Sequence, residues 1–451
     1  MPVKKLRRRT LRTAASATLA VGLAAAVAAC SSGGGSVASG SSNGKISGSL
    51  KIITWVNPPS VNVLTAIDKE FEAKYPGVKV TLQTAANVNG PYETLLQQSV
   101  NSGSADIVTS NSPFQPYPLN PTRANEAPIQ YWAAAGAFQS LNGQSFLKNY
   151  TSSALAAESY QGQTYGVSTG MYQEGVFYNK AIFEKYHLTP PTTYSQFLTL
   201  CQTLKAKGVQ PLYTALGNVG AVYLQFMYYE AMTDLWYPTA PGGNLSEDLM
   251  KGSAKWTDPA FVQGMNEEKT VAQYLEPSYT GVPWESMPGN FAKGDAAMLL
   301  DGSWDLPSVQ QANPKIQVGY FPLPFSNTAA DNQSYGQNDL AFYELKASQN
   351  KTAANAWLSF FSTPKIYAQY VKATGISPSQ AGGSYTGFTS QAMGSYFGKA
   401  VTQNLLYPVL SPDNGYYDQQ ANWPDLQLSV IQGKMSAEQA AQTYEKDWKT
   451  S

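Results

Sequence analysis

The pentapeptide Gly166-Val-Ser-Thr-Gly170 is an arrangement in this chain that could carry out chemistry. It matches G-x-S-x-G, which in α/β-hydrolases holds a nucleophilic serine on a sharp turn between a strand and a helix. Such a serine needs an acid and then a histidine later in the chain. The only histidine, His187, follows Ser168 by 19 residues, which leaves no room for intervening strands. The sequence therefore argues against a serine hydrolase.

Metal and redox chemistry have few candidate residues. One histidine excludes histidine-rich metal sites, and the sequence contains no Cys-x-x-Cys, H-E-x-x-H or phosphate-binding glycine loop. Of the two cysteines, Cys201 lies in an apolar helical pattern, so we expect a buried, inert thiol. We expect neither a metal nor a cofactor.

The other cysteine, Cys30, ends a segment with the features of a secretory signal. The first 12 residues carry six basic side chains and no acid, and residues 13–29 are uncharged. The sequence Val27-Ala-Ala-Cys30 resembles the lipobox of bacterial lipoproteins, so we expect cleavage before Cys30 and lipid attachment there. An uncleaved anchor is the alternative, although the segment is shorter than the ~20 apolar residues of a bilayer span. Export by the Sec or the twin-arginine route stays open.

The segment after Cys30 predicts a tether. Residues 31–48 contain thirteen Gly or Ser among eighteen, a composition typical of flexible linkers, with a reach of roughly 25 Å. Removing residues 1–29 changes the balanced count of 30 basic and 30 acidic residues to a net charge of −6, which argues against nucleic acid as a partner. We therefore expect a protein that is lipid-anchored on the extracellular face of the cytoplasmic membrane.

The elements after the tether predict an α/β body. Residues 50–55 and 78–82 have the pattern of strands on either side of an amphipathic helix, and residues 105–108 form a third short strand. Such βαβ units make a parallel sheet, and ligands of open α/β sheets bind at the carboxyl ends of the strands. Trp55, Asn57 and Asn111 lie at these ends and are candidate ligand contacts.

Aromatic residues make up 12% of the chain, including 29 Tyr and 9 Trp. Tryptophan and tyrosine combine a flat apolar face with a polar tip, which suits a ring with C–H faces and hydroxyl edges. This composition favours a sugar as the ligand, although most of these side chains must belong to the core.

Several segments together resemble the family 1 extracellular solute-binding proteins of ABC transporters, the maltose-binding-protein type. The matching segments are the strand ending at Trp55, and residues 103–108, 162–166, 177–180, 291–304 and 354–360. The resemblance implies a periplasmic-binding-protein type II fold, with two α/β lobes joined by crossover strands that act as a hinge. It implies lobe one at 49–172 plus 301–350, and lobe two at 173–300 plus 351–451.

The resemblance places the ligand between the lobes and adds candidate contacts. Trp304, after Gly302-Ser303, is similar to the family's stacking tryptophan, whereas Tyr172 and Glu174 lie at the expected hinge. The remaining candidates lie in or beside predicted loops: the polar residues Asp301, Asn338 and Asp339, and the loop-adjacent tryptophans Trp236, Trp284 and Trp423. A carboxylate can accept two sugar hydroxyls at once.

The sequence thus predicts a carbohydrate receptor, and not an enzyme, that delivers its ligand to a membrane permease as a monomer. Two alternatives stay open: the same fold with a non-sugar solute such as a polyamine, and a secreted glycoside hydrolase. The hydrolase needs two carboxyl groups facing each other across the cleft. The acids are too widely spread in the sequence to choose such a pair.

Overall fold

The computed structural model describes residues 46–450 with gaps at 87–89, 112–113, 115–127, 218, 384, 402–408, 412–414 and 418. The predicted signal, Cys30 and nearly all of the tether lie outside the described residues.

The strands are β1 (Ser47–Trp55), β2 (Gly77–Ala85), β3 (Ile107–Ser110), β4 (Ser159–Tyr160), β5 (Gln163–Thr164), β6 (Gly166–Ser168), β7 (Met171–Asn179), β8 (Leu212–Tyr213), β9 (Met298–Gly302), β10 (Val318–Phe321), β11 (Gly336–Asn338), β12 (Ala341–Glu344), β13 (Val409–Ser411) and β14 (Gly415–Tyr417). The α-helices are α1 (Pro58–Lys74), α2 (Pro91–Ser102), α3 (Pro128–Ala134), α4 (Ser152–Ala157), α5 (Lys180–Lys185), α6 (Tyr194–Ala206), α7 (Gln225–Ala231), α8 (Leu245–Lys251), α9 (Pro259–Ala272), α10 (Met287–Lys293), α11 (Leu306–Ala312), α12 (Lys351–Phe361), α13 (Pro364–Thr374), α14 (Phe388–Met393), α15 (Gln419–Ile431) and α16 (Ala437–Thr450).

The first lobe is built on a five-stranded sheet in the order β2-β1-β3-β12-β6. Strands β1, β2 and β3 are parallel, as the βαβ pattern predicts, and β12 runs antiparallel to β3 and β6. Helix α1 can begin where β1 ends because Asn57 caps it: the Asn57 side chain accepts the backbone N–H of Ser60 at 3.1 Å. Helices α12 and α13 pack against β1, β12 and α1 on the same lobe.

The second lobe is built on a sheet in the order β10-β7-β9-β8, with β11 paired to β7. The central strand β7 is antiparallel to β9, β10 and β11, and its residues from Tyr172 to Phe177 are buried. Helix α7 packs on β7 and β9 and continues into a π-helical turn, Met232–Trp236. Helices α9, α15 and α16 form a further layer of this lobe.

The connections between the two sheets differ from the expected ones. The chain passes between the sheets at residues 169–170, between β6 and β7, and at residues 339–340, between β11 and β12. It returns to the second lobe after α13, since α14 packs against β10 and α11. Residue 301 is not a crossover, because β9 and β10 belong to the same sheet. Likewise, α12 and α13 lie on the first lobe, whereas the sequence-based boundaries put residues 351–374 in the second.

None of the helices in the described ranges is long and apolar enough to span a membrane.

Candidate functional site

The carboxyl edge of the first sheet collects three of the predicted residues. Trp55 ends β1, is half-buried, and packs edge-on against Tyr92 with ring centroids 5.5 Å apart. Asn111 directly follows β3 and is half-buried. Asp339 lies at the same edge, two residues before the start of β12, which runs antiparallel to β3, and its carboxylate accepts the Thr169 hydroxyl at 3.3 Å. Burial raises the pKa of Asp339 to about 6, against the opposing effect of its hydrogen bonds.

A group of aromatic side chains lies on the second lobe where β7 leaves the crossover. Trp304 packs edge-on against Tyr172 with centroids 5.0 Å apart, and 5.9 Å from the Phe226 ring. The sequence Gly-Ser-Trp permits this placement, since a Cβ at Gly302 would lie 2.0 Å from the Trp304 ring. Because Trp304 is half-buried, part of its indole stays open to solvent.

A second aromatic pair extends this surface. The rings of Tyr223 and Trp284 lie 5.7 Å apart, and both side chains are half-buried. Tyr223 also packs edge-on against Phe226 at 5.3 Å, which joins the pair to Trp304. We define the aromatic surface as the half-buried rings of Tyr223, Trp284 and Trp304 together with the buried rings of Tyr172 and Phe226 that pack against them.

Three carboxyl groups lie beside the aromatic surface. Glu174 of β7 accepts the Gln225 amide at 3.0 Å, and Asp301 of β9 accepts the backbone N–H of Gly302 at 2.8 Å. Asp305 follows Trp304 and is buried with them. The charge of all three bears on Tyr223, whose pKa is raised first by burial and then by these acids. We call these three residues the acidic trio.

Burial is the main reason that the trio resists ionisation. Desolvation raises the pKa of Glu174 well above its ordinary value, and the Gln225 hydrogen bond opposes it. Desolvation also raises the pKa of Asp301, which the charge of Asp305 raises further. The pKa of Asp305 rises to about 6, because burial outweighs the stabilising contacts from Asp301 and Trp284. The ionisation of Asp301 and that of Asp305 are therefore linked, because each carboxyl group affects the pKa of the other.

Two of the predicted ligand contacts, Trp236 and Asn57, have structural roles instead, and the side chain of a third, Trp423, is not among those that the structure describes. Trp236 is only 1% exposed and packs in the core against Trp256 and Phe261, with centroids 5.2 and 4.9 Å away. The side-chain carbonyl of Asn57 accepts the hydrogen bond that caps α1. Asn338 is half-buried at the end of β11, next to Asp339. Trp423 belongs to α15, but its side chain lies outside the described part.

Sequence reasoning missed four residues of this site: Tyr223, Gln225, Phe226 and Asp305. The first three fall in the aromatic stretch 221–236, which predicts a buried helix and so conceals which of its rings are half-exposed. The sequence did contain an indication of Asp305, because in Asp301-Gly-Ser-Trp-Asp305 one acid lies on each side of the candidate stacking residue.

The hydrolase-like motif has a structural role. The Ser168 hydroxyl lies 2.9 Å from the hydroxyl of Ser379, and Ser168 ends β6 where the chain crosses between the lobes. His187 is exposed at the end of α5, with a positive φ of 55°. Within the described ranges, no group of three or more His, Cys, Asp or Glu residues could hold a metal ion.

The chain belongs to the bacterial extracellular solute-binding protein family, whose sequence model matches residues 57–368. It is 24% identical over 314 residues to the multiple sugar-binding protein of Streptococcus mutans. The aligned region covers 69% of this chain and 70% of that protein. It is 22% identical over 218 residues to the melibiose/raffinose/stachyose-binding protein MelE of Bacillus subtilis. Here the aligned region covers 48% of this chain and 50% of that protein.

The fold is similar to that of SBP RafE in complex with raffinose. The TM-score is 0.71 at 20% identity, and the match covers 89% of this chain and all of that one. The fold is therefore the periplasmic-binding-protein type II fold, with two α/β lobes joined by crossover strands.

Proposed function

We propose that this protein is the substrate-binding component of an ABC importer and captures a carbohydrate between its two lobes. The observation that carries the proposal is the aromatic surface, which lies beside buried carboxyl groups where β7 enters the second lobe. Ring faces hold a sugar by its C–H face, and carboxyl and amide groups select its hydroxyl pattern. The names of the relatives, which include raffinose and stachyose binders, support a sugar.

The lobes proposed for this mechanism follow the sheets. The first comprises residues 46–168 and 341–374, and the second comprises 171–338 and 388–450. Closure needs a ligand that contacts both lobes, because only a difference in affinity between the open and closed states shifts their populations. Trp55 and Asn111 would contribute from the first lobe, Asp339 from the crossover at 339–340, and the aromatic surface from the second lobe.

We further propose that Cys30 carries lipid and that residues 31–48 hold the receptor near its permease. The sequence supports this with a basic start, an uncharged segment and the small residues before Cys30. Two or more acyl chains give the stable anchoring that one chain does not. The receptor acts as a monomer, and its closed form docks on the membrane subunits.

The proposed role is binding without turnover. A glycosidase needs a proton donor and a nucleophile or base on opposite faces of the scissile bond. Asp301 and Asp305 instead lie four residues apart at the end of β9, and each carboxyl group affects the pKa of the other. Recovery of the bound oligosaccharide intact after prolonged incubation would support this role, and release of shorter sugars would contradict it.

A polyamine is the second candidate solute, and the acidic trio is the observation that favours it. Calorimetric titration of the mature protein compares melibiose, raffinose, stachyose, amino sugars and spermidine. Saturable binding of a sugar at micromolar or lower Kd is the expected result. Binding of spermidine with no sugar bound would overturn the carbohydrate proposal.

A further inference from the structure

Gln337 and Tyr172, a buried ring of the aromatic surface, form a cross-strand pair. The two residues lie directly opposite each other in the antiparallel pairing of β11 with β7, and the Tyr172 hydroxyl donates to the Gln337 side-chain oxygen at 3.3 Å. Gln337 is 3% exposed and Tyr172 is 7% exposed. Because side chains directly opposite in a sheet share a face, Gln337 holds the hydroxyl end of the Tyr172 ring from the neighbouring strand.

The other end of the Gln337 amide is also held. Its nitrogen donates to the hydroxyl of Tyr335, a buried residue whose ring stacks on Tyr229 with centroids 4.8 Å apart. The backbone N–H of Tyr335 donates to the Glu230 carboxylate at 3.4 Å. Tyr229 and Glu230 belong to α7, the helix that packs on β7 and β9. Gln337 therefore connects Tyr172 to a part of the second lobe that is fixed by several contacts.

Tyr172 in turn contacts the candidate stacking residue, Trp304. The two rings are 89° apart in orientation, with centroids 5.0 Å apart. Such a perpendicular contact depends on orientation, because it sets the edge of one ring against the face of the other. The indole also lies close to Gly302, where a Cβ would be 2.0 Å from its ring. Since Trp304 is half-buried, the contacts that orient its indole also determine which part of the ring stays open to solvent.

We propose that Gln337 is a positioning residue of the binding site, which orients the indole of Trp304 through its hydrogen bond to Tyr172. The inference rests on the proposed function, in which Trp304 meets the ligand. Gln337 acts without touching the solute, because its side chain is almost completely buried. The hydrogen bond and the perpendicular ring contact are consecutive steps between Gln337 and the half-exposed indole.

A purely structural role for Gln337 is the alternative, since a buried amide that loses its partners destabilises a protein wherever it lies. Gln380 provides a matched control. It is 4% exposed, and its side chain donates to the carbonyl of Ser362, just after α12, at 2.8 Å. Gln380→Met should therefore lower the melting temperature and leave ligand affinity unchanged. Gln337→Met should lower both, because methionine keeps the length of the side chain but cannot bond to Tyr172.

The first experiment is a double-mutant cycle in ligand affinity. Calorimetric titration with melibiose, raffinose, stachyose and amino sugars compares the native protein with Gln337→Met, Tyr172→Phe and the double variant. Each single substitution removes the same hydrogen bond, so each should weaken binding about threefold to tenfold, and the double variant should bind about as well as the weaker single variant. Unchanged affinity in both single variants, or losses that multiply in the double variant, would overturn the inference. Absence of sugar binding by the native protein would instead contradict the proposed function, and the inference with it.

The second experiment asks whether the effect passes through Trp304. In a Trp304→Ala background the indole is gone, so adding Gln337→Met should weaken binding by less than about twofold. An equal loss of affinity in the native and the Trp304→Ala backgrounds would mean that Gln337 acts by another route, and would overturn the proposal.

The third experiment measures the orientation of the indole without any ligand. Because the chain has 9 Trp, the contribution of Trp304 is obtained as the difference in fluorescence between each protein and its Trp304→Phe counterpart. Gln337→Met should shift the emission maximum of this contribution and change its quenching by iodide, since both depend on how far the ring is exposed. Gln380→Met should leave both at the native values. An unchanged Trp304 contribution in folded Gln337→Met would show that Gln337 does not orient the indole.

Discussion

The side-chain oxygen of Gln173 accepts the backbone N–H of Gly398 at 2.7 Å, which ties the central strand of the second lobe to a distant loop. The same oxygen accepts the Ser377 hydroxyl at 2.9 Å. The Gln173 amide nitrogen lies within 3.1 Å of three further oxygens, on Ser334, Tyr396 and Lys399. One fully buried side chain thus joins three segments next to the crossover, so it helps fix the lobe connection.

Replacing Gln173 by Leu is expected to destabilise the protein strongly. The change keeps most of the volume but leaves buried carbonyl and N–H groups unpaired, which costs about 2–4 kcal/mol in free energy of unfolding. Urea denaturation measures this loss. The matched control is Gln98→Leu on the exposed side of α2, which should change the free energy by less than about 0.5 kcal/mol. Equal effects of the two substitutions would contradict a linking role for Gln173.

Asp68 makes the stability of the first lobe depend on pH. It lies on α1, is 6% exposed, and accepts the indole N–H of Trp357 at 2.8 Å. Burial raises the pKa of Asp68 from 3.8 to about 7, the hydrogen bond opposes the rise, and Glu72 adds to it. Between about pH 4 and 7 the folded protein therefore holds a proton that the unfolded chain releases, and stability falls as pH rises through this window.

Asp68→Asn should remove that dependence. The amide is neutral at every pH, so the variant should gain stability over the native protein above pH 7, by up to about 4 kcal/mol, and gain little near pH 4. Denaturant unfolding at pH 4, 5.5 and 8 measures the difference. The same series on Asp295→Asn, at an exposed position, should show no such trend. A gain of equal size at pH 4 and 8 would mean that ionisation of Asp68 is not the cause.

The sequence predicts the first sheet well because its signals are local. The alternation in residues 78–82 and the apolar stripe of α1 each depend on neighbours in the chain, and both elements form as expected. The lobe boundaries depend instead on which strands pair. Residues 318–321 form a strand whose local sequence pattern would fit either sheet. Only its pairing with β7 assigns it to the second lobe.

The candidate site also contains both features that the local sequence predicts and features that only tertiary packing determines. Gly302-Ser-Trp304 is a local pattern, and the structure places its indole half-exposed, although its contact with ligand stays a prediction. Trp236 has an equally suggestive sequence environment, yet packing against Trp256 buries it. No local pattern distinguishes these two tryptophans, because the difference is made by helices that are distant in the chain.

The two tryptophans should therefore separate affinity from stability. Trp304→Ala removes a half-exposed ring of the aromatic surface, so ligand affinity should fall about 30-fold with a small change in melting temperature. Trp236→Phe disturbs a closed core cluster, so it should lower the free energy of unfolding by about 1–2 kcal/mol and leave Kd unchanged. Calorimetric titration and thermal unfolding of both variants measure the two effects. If Trp236→Phe lowers ligand affinity under conditions in which the variant is fully folded, Trp236 does not act through stability alone and the prediction is wrong.

Cys30 is expected to determine where the protein resides. Cys30→Ser keeps the signal segment but removes the thiol that accepts lipid, so the protein should appear in the medium instead of the membrane fraction. Cys201→Ser is the matched control: Cys201 is buried, and burial raises its thiol pKa, so this substitution should leave membrane attachment intact. Cell fractionation, with incorporation of a labelled fatty acid, compares the two. Retention of Cys30→Ser in the membrane fraction without label would point to an uncleaved apolar anchor, and labelled Cys30→Ser would place the lipid on another residue.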